Sequence, residues 1–568
     1  MDRETTKTWQ EYEEGLAYQR ETGLSRKLPE YERFKQGDQW PAPSKRTANL
    51  PRPVFNIVNF FIRTKRANVL NQTIKMIYSP TEQGDRHAVQ GAQDFTDFAA
   101  VLWNELDQDE LNENFVDDCA TGGTGILHYY WDSSVKGGMS LRYKGAVRGE
   151  TIDPLNIFFG NPQETRLQKQ PYLIISGRES VKALREEAKL HGAGRETIET
   201  IEPDGAAAEE GYDAAQKELL GAKKATVLTR YCRRNGQVYF SRATRTAVLT
   251  PETPLTPRGA KCPITLYPLA VMSWEKRKKS IFGTGEAESL LPNQKAINFN
   301  IAMMLLSVQQ TAWPKILTKL GALQQQITNT PGEQLTDHYG GGGDGIKYMQ
   351  PPSFPGMALT LADKVLEYSR TVSGVSEVIS GEAFTSNMAA SAIIALQNQS
   401  KQPIESIQKR FYRVMRDVGR IWEQFFKTYY TLPRSMTVKD GEGRESTRAF
   451  QGDSYGDVEF GLKIDVGAGS QYSEALAMAS LDKLLELGVV TPDQYIELAP
   501  QHVMPFKEQL KRMREEESST AILGQADLQG MSALTGQGKA AGTGPQMAGL
   551  FPGEAAVKGG ETNEMPGM

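Results

Sequence analysis

The sequence predicts an α+β protein, and three observations support that class. Segments near the N-terminus repeat apolar residues every three to four positions, which is the period of an amphipathic helix. The same period returns beyond residue 292. Between them, residues 126–275 consist of short runs rich in β-branched and aromatic residues that turn residues separate. Helical segments on both sides of a β-rich region are typical of an α+β fold.

Composition excludes several classes of protein. The 568 residues are 39% hydrophobic, and the three cysteines show no CxxC spacing, so we expect neither a disulfide framework nor a structural zinc site. The start of the chain is charged, and its most apolar run, residues 301–308, is far shorter than the roughly 20 residues that span a bilayer. We therefore expect a cytosolic chain with no secretory signal, no membrane insertion, no metal and no other cofactor.

The N-terminal part contains a predicted arm and two predicted helices. Residues 1–50 are polar and contain several prolines, which predicts an extended arm. Residues 54–69 repeat apolar residues at helical spacing opposite a basic face. Residues 90–118 predict a second amphipathic helix, with Phe95 and Leu102 on its apolar side.

The following part is predicted to form an α+β lobe. Its short apolar runs end in turn residues, as strands do. A charged, alanine-rich segment at residues 179–222 interrupts them and is typical of helical or mobile chain rather than strand. The predicted strands are Met139–Tyr143, Gly149–Phe159, Thr226–Arg233, Gln237–Phe240 and Tyr267–Trp274.

Three further helices are predicted after residue 285. Residues 293–310 and 357–378 carry apolar residues at helical spacing. The strongest periodic signal lies in a helix from about residue 388 to 430, which Pro403 is expected to kink. The residues of this apolar seam are Ile404, Ile407, Phe411, Val414, Val418, Ile421 and Phe425.

The C-terminal part changes character twice. Residues 431–467 are rich in turn residues and predict β structure, and residues 471–517 predict helix. From about residue 523 the chain is rich in Gly, Pro, Gln and Met, and it has too little apolar content to fold.

Glycine-rich motifs and clustered carboxylates are the remaining chemical signals. Residues 121–125 (TGGTG) and 283–285 (GTG) lack the lysine and hydroxyl of a P-loop, so we interpret them as turn and close-packing positions. Carboxylates cluster at residues 107–110, 117–118 and 515–517, and such clusters can bind two metals in a nuclease. Solvated helix faces produce this pattern more often, and both interpretations stay open.

Two basic features are candidates for phosphate contact. Because the formal net charge is −4, a contact with DNA would be local or weak. A solvated face or ion pairing with neighbouring acids is the commoner explanation of such features, and the functional alternative is a contact with DNA phosphate or with an adjacent subunit. They are the run Lys276, Arg277, Lys278 and Lys279 and the helical stripe Arg410, Arg413, Arg416 and Arg420.

Several segments, in their order along the chain, resemble the portal proteins of tailed bacteriophages, which are head-to-tail connectors. The resemblance covers about residues 30–510. Each segment alone is weakly specific, whereas the ordered set is fairly specific. The segments are residues 31–40 (YERFKQGDQW), 52–58 (RPVFNIV), 117–126 (DDCATGGTGI), 153–158 (DPLNIF), 282–294 (FGTGEAESLLPNQ) and 386–394 (SNMAASAII).

The resemblance implies an elongated subunit that assembles into a ring. Mapped by element order, it implies these regions: N-terminal arm 1–50, α+β wing 51–285, first stem helix 286–311, β-containing clip 312–356, second stem helix 357–378, tunnel loop 379–392, long channel helix 393–430, wing β segment 431–470, helical crown 471–517 and disordered tail 518–568.

The resemblance also implies a function without covalent chemistry. A ring of usually twelve subunits at one capsid vertex would conduct DNA during packaging and ejection. Its partners would be other copies of the chain, double-stranded DNA, the large terminase subunit, the major capsid and scaffold proteins, and head-tail adaptor proteins. It would assemble in the bacterial cytoplasm and lie in the virion. The alternatives are a metal-dependent nuclease and another virion structural adaptor.

Site residues follow from this mapping as expectations. The basic run 276–279 is the first candidate for the DNA channel, and the polar tunnel loop is the second. The apolar seam and the arginine stripe of the long helix are candidates for the subunit interface. The tunnel-loop candidates are Ser380, Glu382, Thr385, Ser386 and Asn387.

Overall fold

A computed structural model gives the fold as two compact units, Met1–Gly469 and Ser470–Met568. Every structural statement below concerns the residues that it describes. These are residues 3–45, 47–48, 50–81, 85–137, 144–204, 223–312, 315–319, 346–349, 356–375, 390–439, 445–466, 478 and 481–498.

The described helices and strands confirm the α+β class. The α-helices are α1 (Arg3–Glu21), α2 (Leu24–Gln36), α3 (Ile57–Val69), α4 (Arg86–Glu105), α5 (Gln108–Gly122), α6 (Val181–Leu190), α7 (Arg195–Glu199), α8 (Glu286–Ala312), α9 (Met357–Ser373), α10 (Ala390–Tyr429) and, in the second unit, α11 (Pro492–Leu498). The strands are β1 (Ile74–Pro80), β2 (Thr124–Asp132), β3 (Ala146–Thr151), β4 (Ile157–Phe159), β5 (Tyr172–Ser180), β6 (Lys224–Arg234), β7 (Gln237–Ala243), β8 (Val248–Pro254), β9 (Leu269–Ser273), β10 (Ile316–Thr318), β11 (Ile346–Tyr348), β12 (Arg434–Lys439), β13 (Glu445–Phe450) and β14 (Phe460–Val466).

The strands form antiparallel sheets. The largest has the order β4-β5-β6-β7-β8, and a second has the order β3-β2-β9. Three two-stranded ladders pair β1 with β14, β10 with β11, and β12 with β13. Residues 139–143, predicted as a strand, lie outside the described residues. The predicted strand over 149–159 is two strands, β3 and β4, and the strands β1, β5 and β8 were not predicted.

The N-terminal segment is helical, so the prediction of an extended arm over residues 1–50 is wrong for its first two thirds. Helix α1 packs on the largest sheet, where Tyr12 is 2% exposed and meets the ring of Phe158 edge-on at 4.8 Å. Glu11 accepts from the Arg230 guanidinium on β6 at 2.7 Å. Both anchors lie on α1, most of whose other side chains are polar or charged, and the high polarity of the segment therefore masks its helical period.

The predicted helix over residues 90–118 is two helices. The chain turns at Asp107, whose φ of 48° is left-handed and interrupts the helical hydrogen bonding between α4 and α5. Phe95 and Leu102 are fully buried, as their spacing predicts.

The long helix α10 runs through the main hydrophobic core. Trp422 and Phe426 are fully buried, and the ring of Phe426 meets Phe98 of α4 edge-on at 5.0 Å. Phe98 in turn stacks on Phe450 of β13 with centroids 4.0 Å apart. Helices α4 and α10 and strand β13, which are distant in sequence, therefore share one hydrophobic core.

The pairing of β1 with β14 joins two segments of the first unit that are far apart in sequence. Met76 lies opposite Ile464, and the Tyr78 hydroxyl donates to the Gly419 carbonyl of α10 at 2.7 Å. The segment after α10 thus folds onto the N-terminal half of this unit.

Candidate assembly surface and nucleic-acid contacts

The base of α8 is fixed by a buried amide. Gln294 is fully buried, and its Oε1 accepts from the backbone amides of Ile57 at 2.8 Å and Val58 at 3.2 Å. These amides begin α3 and have no partner within that helix. The Gln294 Nε2 donates to the Phe55 carbonyl at 2.7 Å, so one side chain fastens α8 to the start of α3.

The two glycine motifs pack backbone to backbone where α8 begins. A Cβ added at Gly283 would lie 2.3 Å from the Gly123 carbonyl oxygen, and one added at Gly285 would lie 2.3 Å from the Thr121 carbonyl oxygen. Gly123 itself has a φ of +91°. No residue with a side chain fits at such distances, which confirms the close-packing interpretation of both motifs.

Ion pairs surround this glycine junction, and sequence reasoning missed them. Lys65 of α3 pairs with Glu286 of α8, both almost fully buried, and Glu286 also accepts from the Trp274 indole at 2.8 Å. Two residues further along, Glu288 pairs with Lys27 at 3.1 Å and with Arg277. The sequence does contain one signal for these pairs: two glutamates follow the glycine motif in the first turn of a helix. Acidic side chains are favoured in that turn because it lies at the positive end of the helix dipole.

Helix α8 exposes apolar side chains on two opposite sides. After Ala302 none of its residues is buried. Phe299 is 55% exposed, and Met303 follows one turn later; Leu305 and Val308 are also exposed, Val308 to 65%. At 3.6 residues per turn, the first pair lies about 140–240° around the helix from the second. We call these pairs the front stripe (Phe299, Met303) and the back stripe (Leu305, Val308).

Helix α9 packs beside α8 and has an apolar stripe of its own. Ser369 is fully buried where the Asn293 amide donates to it at 3.0 Å. Leu361, Tyr368 and Val372 are all more than half exposed. Their spacing places them on one face of the helix.

The basic run before α8 is divided by the structure. Arg277 is half-buried, pairs with Glu288 and donates to Thr284 Oγ1 at 2.7 Å, so it belongs to the glycine junction. Lys276, Lys278 and Lys279 are exposed. Only these three are therefore available to a phosphate group.

The apolar seam of α10 is buried within its own subunit. Its seven residues are between 0 and 6% exposed and belong to the main core. A side chain that is buried in one chain offers no surface to a neighbour, so the interface expectation for the seam is corrected: the 3-4 period reports the internal core. The seam residues are Ile404, Ile407, Phe411, Val414, Val418, Ile421 and Phe425.

The arginine stripe of α10 is also divided. Arg410 is half-buried and donates to the Trp274 carbonyl, which gives it a structural contact inside the subunit. Arg413, Arg416 and Arg420 are exposed. The tunnel-loop candidates at residues 380–387 lie outside the described residues.

The carboxylates at residues 117–118 have different surroundings. Asp117 pairs with Lys35 and, at 3.0 Å, with Arg66. Burial and the nearby Asp153 and Asp117 raise the pKa of Asp118 to about 7. Within the part of the chain that the structure describes, no three His, Cys, Asp or Glu side chains converge closely enough to hold a metal ion directly. Residues 515–517 lie outside that part.

The described residues define an α+β fold with a helix pair, α8 and α9, that exposes apolar surface. None of the described helices is both long and apolar enough to cross a membrane. The sequence model of the phage P22-like portal protein family matches residues 191–468, just under half of the chain. This match confirms the resemblance to tailed-phage portal proteins, a structural rather than an enzymatic family. No curated protein matches the chain.

Proposed function

We propose that this chain is the portal subunit that assembles into a ring at one capsid vertex and conducts genomic DNA during packaging and ejection. The family match supports the portal assignment. The observation that carries ring assembly is the pair of apolar stripes on opposite sides of α8. A closed ring needs two different surfaces on each subunit, one for each neighbour, and the front and back stripes supply them.

The other parts of the proposal concern DNA and the assembly partners. Lys276, Lys278 and Lys279 stand next to the start of α8, where a channel lined by the helix pair would bring them towards DNA. Three exposed lysines on a chain of net charge −4 give a local, weak attraction that lets DNA slide. The terminase motor would dock on the clip, residues 312–356, and head-completion proteins would later replace it.

The two stripes can be tested separately with Phe299→Glu and Val308→Glu. Removing one apolar anchor loses about 1.5–3 kcal/mol per interface, so each variant alone should remain monomeric at concentrations where the parent chain forms rings. Because each variant keeps one intact side, an equal mixture should form dimers and nothing larger. Light scattering after size-exclusion chromatography measures this directly.

The matched control is Gln309→Glu, which adds the same charge at an exposed polar position of α8. It should assemble like the parent chain. A mixture that stays monomeric, or single variants that still form rings, would contradict the two-sided interface.

Charge reversal of the three exposed lysines tests the DNA contact. The variant with Lys276, Lys278 and Lys279 changed to Glu should form rings but package less DNA per head. Each lost phosphate contact should reduce the slope of log affinity against log salt by about 0.9. Arg277 is left unchanged because its pairing with Glu288 supports the glycine junction. The comparison is the variant in which Arg413, Arg416 and Arg420 are changed to Glu. Normal packaging by the lysine variant would show that the three lysines do not contact DNA in the channel.

A further inference from the structure

Three exposed arginines lie along one side of α10. They are Arg413, Arg416 and Arg420, and their spacing of three and four residues places them on the same face of the helix. None of them forms an ion pair among the described residues. Asp417 acts on all three electrostatically, but it offsets only one of the three charges. Because guanidinium groups bind carboxylates and phosphates through paired hydrogen bonds, this face fits an anionic surface.

A charged surface of the opposite sign lies on α5. Its residues are Asp109, Glu110 and Glu113, which are all exposed. Asp109 and Glu110 form no ion pair among the described residues, whereas Glu113 pairs with Arg66 at 2.9 Å. We call these three residues the acidic face of α5. Two of its carboxylates are therefore available to a cationic partner.

The three arginines and the acidic face lie on opposite outer sides of α10 and α5. The two helices approach each other at Phe411 and Phe115, which are almost fully buried and have ring centroids 6.4 Å apart. At 3.6 residues per turn, the arginines lie about 140–180° around α10 from Phe411. The acidic face lies about 120–160° around α5 from Phe115. The two charged surfaces therefore face away from each other and do not pair within one chain.

Opposite charges on opposite sides fit a head-to-tail association of copies. In a ring, each subunit presents one surface to the neighbour on one side and a different surface to the neighbour on the other side. Copies that join in this way bring the arginines against the carboxylates. A two-fold dimer through either surface would place like charges together, which is unfavourable. The two surfaces are also comparable in length, about 10 Å for the arginines and about 6 Å for the acidic face.

We propose that the three exposed arginines of one subunit dock on the acidic face of the next subunit in the ring. This inference rests on the proposed ring and adds a polar contact to the apolar stripes of α8. Arg410 takes no part, because it donates to the Trp274 carbonyl within its own subunit. Exposed ion pairs contribute little affinity each, whereas complementary charges direct docking and suppress wrong pairings. The contact therefore determines which sides meet, and the apolar stripes supply most of the affinity.

Charge reversal on each surface, alone and in a mixture, tests the docking. The first variant changes Arg413, Arg416 and Arg420 to Glu, and the second changes Asp109 and Glu110 to Lys. Each variant alone should need at least about tenfold more protein than the parent chain for half-maximal assembly, because like charges then meet. An equal mixture should assemble like the parent chain, since every contact between unlike variants pairs opposite charges. Light scattering of the full chain at about 0.1 M salt, where the Debye length is about 10 Å, measures assembly.

The matched control carries the same net charge as the first variant. It changes Lys182, Lys189 and Lys223, which are exposed near α6, to Glu and should assemble like the parent chain. Neutral variants serve if a reversed variant does not fold. Replacing the three arginines of α10 by Gln should weaken assembly and reduce its dependence on salt concentration, because screened charge pairs are then absent.

Different results would contradict the ring and the docking. A parent chain that stays monomeric would overturn both. Parent rings together with a mixture that assembles no better than its two component variants would overturn the docking alone. An arginine variant that forms rings normally but loses affinity for DNA would assign the arginines to DNA phosphate, and it too would overturn the docking.

Discussion

Gly283→Ala should destabilise the subunit by about 3–5 kcal/mol, more than the 1–3 kcal/mol that is common for an overpacked core. The new methyl group would meet the Gly123 carbonyl oxygen at 2.3 Å and the Glu275 carbonyl oxygen at 2.7 Å. Both are backbone atoms, so no rotamer change can relieve the clash. Chemical denaturation of the dilute, unassembled chain measures the loss.

Gly177→Ala is the matched control for this glycine. At that position in β5 the added Cβ would lie 3.9 Å from Val227, an ordinary contact. Alanine is favoured over glycine within a strand by about 0.5–1 kcal/mol, so the control should be neutral or slightly stabilising. Similar losses at both glycines would show that the glycine junction has no special packing requirement.

Glu286→Ala should cost about 3–5 kcal/mol of stability, because it leaves Lys65 buried without a counter-ion. Lys65 is 5% exposed, and the Trp274 indole would lose its acceptor as well. The double variant Lys65→Met with Glu286→Gln removes both charges and keeps an oxygen for Trp274. It should recover most of the loss in the same denaturation experiment.

Two outcomes would contradict this interpretation of the ion pair. A single variant that unfolds like the parent chain would mean that water reaches Lys65. A double variant as unstable as the single one would mean that side-chain shape, rather than the unpaired charge, dominates. Lys364→Met breaks an exposed ion pair of α9 and is the control. It should change the free energy of unfolding by less than about 1 kcal/mol, against which the effect of breaking the buried pair is compared.

Long helices could be predicted from the sequence because a helix with one apolar face repeats apolar residues every three to four positions. Helix α10 begins and ends within two residues of the predicted bounds. Helix α8 begins at Glu286, seven residues before the start that its period predicts and at the bound that the resemblance implies. Helix α9 ends earlier than predicted, at Ser373, since Gly374 adopts a left-handed φ of 70°. Helix α1 was missed because few buried side chains, Tyr12 among them, interrupt its polar sequence. Helix α2 was missed because Pro29 and the charged residues between its buried positions conceal the helical period.

The apolar pattern of a helix could not predict whether its apolar face packs inside the chain or is exposed. The 3-4 period of α10 is the same whether the seam packs inside one subunit or between two, and only tertiary placement shows that Val418 is fully buried. Conversely, Leu305 and Val308 lie in an ordinary helical pattern whose exposure depends on where α8 leaves the core. The position of Glu286 in a first turn indicates the start of a helix, but nothing in the local sequence indicates that its partner is Lys65.

The ladder between β1 and β14 has a consequence for biosynthesis. Pro80 pairs with Phe460, 380 positions later. At about 5–20 residues per second, the ribosome needs roughly 20–80 s to make the partner strand after the first has emerged. During that time Phe95 and Phe98 have neither β13 nor the end of α10 to cover them. The nascent chain therefore carries an uncovered aromatic surface for tens of seconds, and its safe folding depends on chaperones or on slow encounter with other chains.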